Sequence, residues 1–404
     1  MPCGFDASAA ANPATTPGQR DPSTISLGDA QILFSTETIR PPLTGIGRYT
    51  LELGRALRRI KGQNIRFYPT DPETPTVAAL SVKGGRLRTM GRRVPGAHLA
   101  MDRVREARFT QATRHTACAV YHEPNFLLRN FDGRCVVTVH DLSYLRYPQY
   151  HAKRSLTFLA SRLPQSIARA DRILVPTAFV RDELQDLLEV RPDRVRVVHE
   201  GVSGPDTAMT VANIESALKQ FDLEYDGYIL SVGTREPRKN LGALVAAYEQ
   251  LPEPLRARFP LVIVGAKGWS HGETDRRIER LHRRGQVRAL GYVDDSMLHA
   301  LYAGASGFAY LSWYEGFGLP PLEAMAMGVP VVTSTAPALV EVTGSAALHA
   351  PPGDVDAISA TLRRLAEDRG LREELSARGR EHADTFSWNR AATETLSVYA
   401  ELIV

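Results

Sequence analysis

Trp313 to Thr333 reads W-Y-E-G-F-G-L-P-P-L-E-A-M-A-M-G-V-P-V-V-T. An apolar run, Phe308 to Leu311, ends just before it. Pro320 and Pro321 suit the first turn of a helix, where an absent N–H costs nothing. The pattern predicts a strand, a corner, and a helix with Glu323 in its first turn. Gly328 ends that helix before a strand, Val329 to Val332. Glu315 stands in the corner, eight residues ahead of Glu323. The small residues Gly316 and Gly318 leave backbone N–H groups open to a ligand. Such a corner lies at the carboxyl end of a strand, where open α/β sheets bind ligands. Ionised carboxylates only accept hydrogen bonds and sugar hydroxyls donate them, so the pair suits a hydroxyl-rich ligand. Taken singly, a Glu in a first turn also complements a helix dipole, and a Gly-Pro corner also makes a turn.

The whole string resembles the E-x7-E signature of retaining, nucleotide-sugar-dependent glycosyltransferases of family 4. The spacing, the G-F-G-L-P-x-L-E core and the following G-x-P-V-V carry the likeness. It implies an α/β protein of the GT-B fold, two Rossmann-like domains facing across a cleft. It also implies that Glu315 binds hydroxyls of the donor sugar and Glu323 the ribose, with Gly316, Phe317 and Gly318 lining the donor site.

A chain of 404 residues is long enough for two full cores, and 43% apolar with 23% charged residues is ordinary for a globular protein. No run approaches the roughly 18 apolar residues of a membrane span. Residues 1–24 lack a hydrophobic stretch with a basic leader and read as a disordered tail. Cys118 and Cys135 sit in apolar strand-like runs and, with Cys3, show no metal spacing. Buried free thiols and a reducing cytoplasm follow as expectations. The net charge of +4 divides into +10 for residues 1–204 and −6 for residues 205–404, which points to two domains facing different partners.

Outward from the corner, the chain twice repeats a strand–helix alternation. The expected units are 25–205, an acceptor-side Rossmann-like domain; 206–385, the nucleotide-sugar domain; and 386–404, a terminal helix that in GT-B proteins crosses back. Strands are predicted at Gln31 to Thr36, Asn64 to Thr70, Ala117 to Tyr121, Cys135 to Val139, Arg172 to Pro176 and Arg196 to Val202. In the second unit they are predicted at Tyr228 to Val232, Leu261 to Val264, Val287 to Gly291 and 307–311.

Four further places carry chemistry. Gly45-Ile46-Gly47 opens a periodic helix and can admit a phosphate, although as a dinucleotide fingerprint it lacks the third glycine. The family has a Gly-rich loop here, which implies donor contact by Gly45 and Gly47. Val139-His140-Asp141 matches the family's His-Asp site, which places His140 at the reacting sugar. Arg238 and Lys239 precede a helix for which Asn240 is the expected N-cap. Cations there oppose the helix dipole, as if held for an anion. The likeness to the family's diphosphate loop implies that Lys239 and one arginine, Arg235 or Arg238, neutralise the leaving group. Catalysis is expected to be metal-independent, because these cations do what a metal would do. From residue 83 to 108, Lys83, Arg86, Arg88, Arg92, Arg93, Arg103, Arg105 and Arg108 outnumber Asp102 and Glu106. This is a solvated face or a surface for anionic inner membrane or an anionic acceptor. Interleaved aromatics are missing, which argues against nucleic acid.

The expected activity is transfer of a hexose to a growing bacterial surface polysaccharide on a lipid carrier. His140 to His151, H-D-L-S-Y-L-R-Y-P-Q-Y-H, is similar to mannosyl- and rhamnosyltransferases of O-antigen assembly. That implies a GDP-mannose-type donor and no other cofactor. A GT-B epimerase or hydrolase, or a non-catalytic sugar-nucleotide-binding subunit, shares the same loops.

Overall fold

The computed structural model describes residues 25–40, 43, 45–74, 97–204, 209–268 and 272–403, with backbone alone for 97–101 and 153–155. The expected tail 1–24 lies outside the described residues, as do Pro41, Pro42, Thr44 and the basic residues Lys83 to Arg93.

Two six-stranded sheets organise the chain, and every described strand pair is parallel. The first comprises β1 Gln31–Ser35, β2 Ile65–Tyr68, β3 Cys118–Glu123, β4 Arg134–Thr138, β5 Arg172–Val175 and β6 Val195–Val197, in the order β2-β1-β3-β4-β5-β6. The second comprises β7 Ile229–Val232, β8 Leu261–Val264, β9 Val287–Gly291, β10 Gly307–Tyr310, β11 Val331–Ser334 and β12 Ala347–Ala350. Its order is β12-β11-β10-β7-β8-β9. The interior strands β8 Leu261–Val264 and β10 Gly307–Tyr310 are buried along their whole length, as strands of a parallel sheet covered on both faces are. Each sheet reverses direction once, between β1 and β3 and between β7 and β10. Ligands bind such α/β sheets at these switch points, outside the carboxyl ends of the strands.

The helix Gly45–Lys61 buries Tyr49, Leu53 and Leu57, the face its 3.6-residue spacing predicts, with Ile46 only partly covered. Against it packs the last helix, Trp388–Ile403, which buries Trp388, Leu396 and Tyr399. Tyr399 meets the first sheet through a 2.6 Å hydrogen bond with His122, and Glu401 pairs with Arg172 and Arg196. One core cluster runs from Phe34 and Leu53 of the first unit through Leu396 to Leu230 and Phe308 of the second.

Arg196 to Val202 is not one strand. Only Val195–Val197 pairs, after which the chain turns to meet the second unit. There the Val202 amide donates to Phe386 O, and a Cβ on Gly201 would lie 2.3 Å from the Trp388 amide nitrogen. Cys118 and Cys135 are buried free thiols, and burial pushes the Cys135 thiol up to about 11.

Candidate active site

The loops after β7 and β10 flank the second switch point and are sewn to each other. Trp313 N donates to Arg238 O at 2.9 Å, and Arg238 Nη1 donates to Tyr314 O at 2.8 Å. A short 3-10 turn, Pro237–Lys239, brings two cations to one carboxylate. Lys239 Nζ lies 2.7 Å from Glu315 Oε1, and Arg238 Nη1 lies 2.9 Å from Oε2. The Lys239 ammonium also donates to the Tyr310 hydroxyl and lies 4.9 Å from that ring's centre. Glu315 is 7% exposed. Burial alone would raise its pKa, but Arg238 and Lys239 hold it down to about 2. Lys239 shifts the other way from a free lysine, downward, because lost hydration and the neighbouring Arg238 outweigh its share of Glu315. Glu315 thus serves two cations at once, and Glu236 Oε2 lies 3.9 Å from Arg238 Nη2 at the edge of the cluster.

Arg235 does not join them. Its guanidinium turns to Asp275 at 3.8 Å, and its amide donates to Ala266 O. Asn240 occupies the expected N-cap position with φ +56° but its side chain does not cap. Its Nδ2 donates instead to Pro352 O at 2.7 Å, tying the loop to the end of β12.

Glu323 lies in the second turn of the helix Leu319–Ala326, not the first, because that helix starts at Leu319 with Pro320 and Pro321 inside it. Its carboxylate accepts from the Tyr302 hydroxyl at 2.9 Å and faces Arg48 Nε at 3.7 Å. Arg48 also pairs with Asp295 at 2.6 Å. Gly45 and Gly47 form the first helical turn rather than a loop ahead of it, and Gly47 is buried. The residue after them is the one that reaches the second unit. Arg48 was open to the same reading as Arg238 and Lys239, a cation at a helix start opposing the dipole.

Gly316 and Gly318 serve close approach in this closed arrangement. A Cβ on Gly316 would lie 1.8 Å from His140 O, while Gly318 caps its helix with φ +113°. Gly316 O accepts from Thr177 Oγ1 at 2.9 Å. The Phe317 ring is buried against His199 and Phe386. His140 follows β4, and its ring is spoken for on both nitrogens. Nε2 donates to Pro124 O at 2.8 Å, and Nδ1 faces Glu200 Oε1 at 3.2 Å. The main chain of His140 is therefore what meets the Glu315–Gly316 corner. Glu200 carries no readable signal in the sequence.

More bonds close the cleft. Leu142 N donates to the Tyr314 hydroxyl at 2.9 Å, and that hydroxyl donates to Glu183. Glu341 accepts from the amides of Ala178 and Phe179 at 2.7 and 3.0 Å, at the start of helix Ala178–Leu188. Between Arg48, Glu323 and Trp388 the void measures only about 20 Å³, room for a water. A much larger cavity, about 840 Å³, opens at the first switch point. Glu37, Glu123, Phe126, Arg129 and Ile46 are among its walls. Its Pro124–Phe126 edge is the turn that holds His140. Arg129 pairs there with Glu37 and Asp102, each at 2.8 Å, and burial pushes the Glu123 carboxyl up to about 7.

An Asp-x-Asp string exists at Asp354-Val355-Asp356, and both carboxylates are engaged within the protein, the first as the cap of helix Val355–Glu367. Asp354 accepts from Ala357 N and Asp356 from Gln250 Nε2. Among the described residues no group of three His, Cys, Asp or Glu is placed to hold a metal.

The two halves match two family models, "Glycosyltransferase Family 4" over residues 43–203 and "Glycosyl transferases group 1" over residues 214–382. The chain is 39% identical over 377 residues to O-antigen chain mannosyltransferase B of Escherichia coli, covering 91% of this chain and 99% of that one. Its fold is similar to that of sucrose-phosphate synthase from Thermosynechococcus elongatus, with TM-score 0.68 at 21% identity over 92% of this chain and 99% of that one. It is also similar to Anabaena HepE solved with UDP and glucose, with TM-score 0.65 at 16% identity over 91% and 100%. With two parallel switch-point sheets, a closed cleft and these matches, the chain belongs to the family 4, group 1 glycosyltransferases of the GT-B fold.

Proposed function

We propose that this glycosyltransferase moves mannose or a deoxymannose from a GDP-linked donor to a growing O-antigen-type glycan on a lipid carrier, with retention. The observation that carries the reading is the Arg238–Lys239–Glu315 cluster at the second switch point, facing His140 across the cleft. In the transfer the bond from the sugar's anomeric carbon to the diphosphate oxygen breaks and a bond to an acceptor hydroxyl oxygen forms. That hydroxyl's proton passes to the departing diphosphate. Negative charge develops on the leaving group, beside two cations that already lack water and need no reorganisation. Glu315 then exchanges part of its cation pairing for sugar hydroxyls, and Glu323 exchanges Arg48 for the ribose. Arg238 and Lys239 supply the neutralisation, so activity should survive a chelator. Loss with chelator and recovery with Mg²⁺ or Mn²⁺ would refute that point.

The mannose assignment rests on the Escherichia coli relative, which the chain spans almost end to end. The lipid carrier places the reaction at the cytoplasmic face of the inner membrane. No helix among the described residues is long and apolar enough to cross a membrane. Arg103, Arg105 and Arg108 end the basic run on helix Ala97–Thr113 and suit an anionic bilayer surface. Calorimetric titration against GDP, UDP and dTDP tests the donor. Tight binding of GDP alone supports it, and binding of UDP or dTDP without GDP overturns it.

A further inference from the structure

His151 closes the string that His140 opens, and nothing in the roles above uses it. Its neighbours place it on the cleft. The turn Pro148–Tyr150 accepts its amide at Pro148 O, 3.1 Å away. In the same turn Tyr147 and Tyr150 stack at 5.7 Å with planes 5° apart. Tyr147 also packs at 5.6 Å on Tyr314, the residue before Glu315. The charged groups that act on the His151 ring are Asp141 of its own unit, and Arg238 and Glu236 of the other. The ring is therefore within electrostatic reach of Arg238, and the Tyr147–Tyr314 contact ties its turn to the opposite wall.

Its Nε2 is buried and has no hydrogen-bond partner, the one such ring nitrogen among the described residues. His122, His140, His199, His282, His349 and His382 all have partnered nitrogens. A buried polar atom without a partner costs stability, and native folds seldom leave one without cause. Burial and Arg238 lower the ring's pKa against Asp141, Glu236 and a Ser143 backbone hydrogen bond, so the imidazole is neutral at physiological pH. A neutral imidazole offers one N–H and one lone pair, so a hydroxyl can meet either nitrogen, whereas a phosphate oxygen can use the N–H alone.

Resting on the transferase reading, we infer that His151 Nε2 receives a sugar hydroxyl in the cleft, on the transferred sugar or on the acceptor. It is a substrate-binding residue of the reacting centre, supplied by the first unit.

The test compares wild type, His151→Gln and His151→Phe by sugar-nucleotide affinity, GDP affinity, acceptor KM and kcat. Phenylalanine fills the volume without a polar atom, and thermal melts confirm folding. If the hydroxyl belongs to the donor, the Phe variant binds GDP-mannose roughly five- to hundred-fold more weakly and GDP as before. If it belongs to the acceptor, both nucleotides bind as before and acceptor KM or kcat suffers by that factor. Glutamine recovers part of the loss in either case. A folded Phe variant with every constant unchanged overturns the inference, and so does equal loss of GDP binding, which would make His151 a support for the diphosphate loop. If wild type binds GDP-mannose but serves no acceptor, the transferase reading fails, and the donor arm alone then decides the role of His151.

Discussion

Glu315 and Glu123 are two buried carboxyls that titrate in opposite directions, and the difference lies in their neighbours. Glu315 faces two cations, whereas Glu123 takes a hydrogen bond from Tyr121 and shares Arg129's charge with Glu37 and Asp102. For Glu315 the folded pKa is depressed to about 2, so its stabilisation is present above the unfolded value and is lost as pH falls toward 2. For Glu123 the folded pKa is raised to about 7, so folding is favoured by the proton it keeps, and stability declines as pH rises from the unfolded value to about 7. Denaturant titrations should therefore show the gap between wild type and Glu315→Gln closing below pH 4. The stability of Glu123→Gln should rise relative to wild type between pH 5 and 7. Gaps that do not change with pH would contradict both assignments. At pH 7, Glu315→Gln should cost more than Lys239→Ala, about 3–5 kcal/mol, because it takes from Lys239 its carboxylate and leaves Arg238 only the more distant Glu236. Lys239→Ala leaves Arg238 and Glu315 paired. Sequence showed these residues as separate motifs 76 positions apart. That one carboxylate serves both cations depends on how two loops fold onto each other, and no local pattern encodes it.

Elements were legible where side-chain pattern alone decides them. β8 falls on its predicted bounds because it is a short apolar run between turn residues, and β9, Val287–Gly291, is bounded by Gly285 before it and Gly291 at its end. β12 escaped notice because Ala347-Leu348-His349-Ala350 has no β-branched residue, and its place at the sheet edge comes from pairing with β11. β6 is shorter than its sequence suggests because, after Val197, Gly201 and Val202 meet the chain at 386–388 instead of a neighbouring strand. The corner at 315–318 was legible as a glycine-rich turn but not as the place where two units touch. Gly316→Ala tests that contact, since the new methyl would overlap His140 O. The variant should keep its folded circular dichroism yet lose transfer activity by at least roughly ten-fold, as misplacement of a catalytic loop does. Wild-type turnover would show that the two loops do not meet in the working enzyme.

For the molecule as a whole, the pairing of two α/β units and the family both followed from the sequence, while the closed cleft did not. A donor needs several hundred Å³, and the gap at Arg48 and Glu323 holds about 20 Å³. If the donor binds at the proposed site, the units part to admit it, breaking the contacts of Tyr314, Glu341 and Arg48. Tyr314→Phe with Glu341→Gln removes two of these links. Small-angle scattering should give this double variant a larger radius of gyration than wild type without ligand, with the difference shrinking when donor binds. Identical curves would mean that closure rests on other contacts, such as the core shared through helix Trp388–Ile403.

The central claim is acceptor-dependent transfer with retention. The direct measurement is nucleotide release from GDP-mannose with and without a lipid-linked O-antigen acceptor, with the anomeric configuration of the product read by NMR. GDP release that requires the acceptor and yields an α-linked product is the expected result. Release without acceptor, epimerised donor, a β-linked product, or binding without turnover across all donors and acceptors would contradict it.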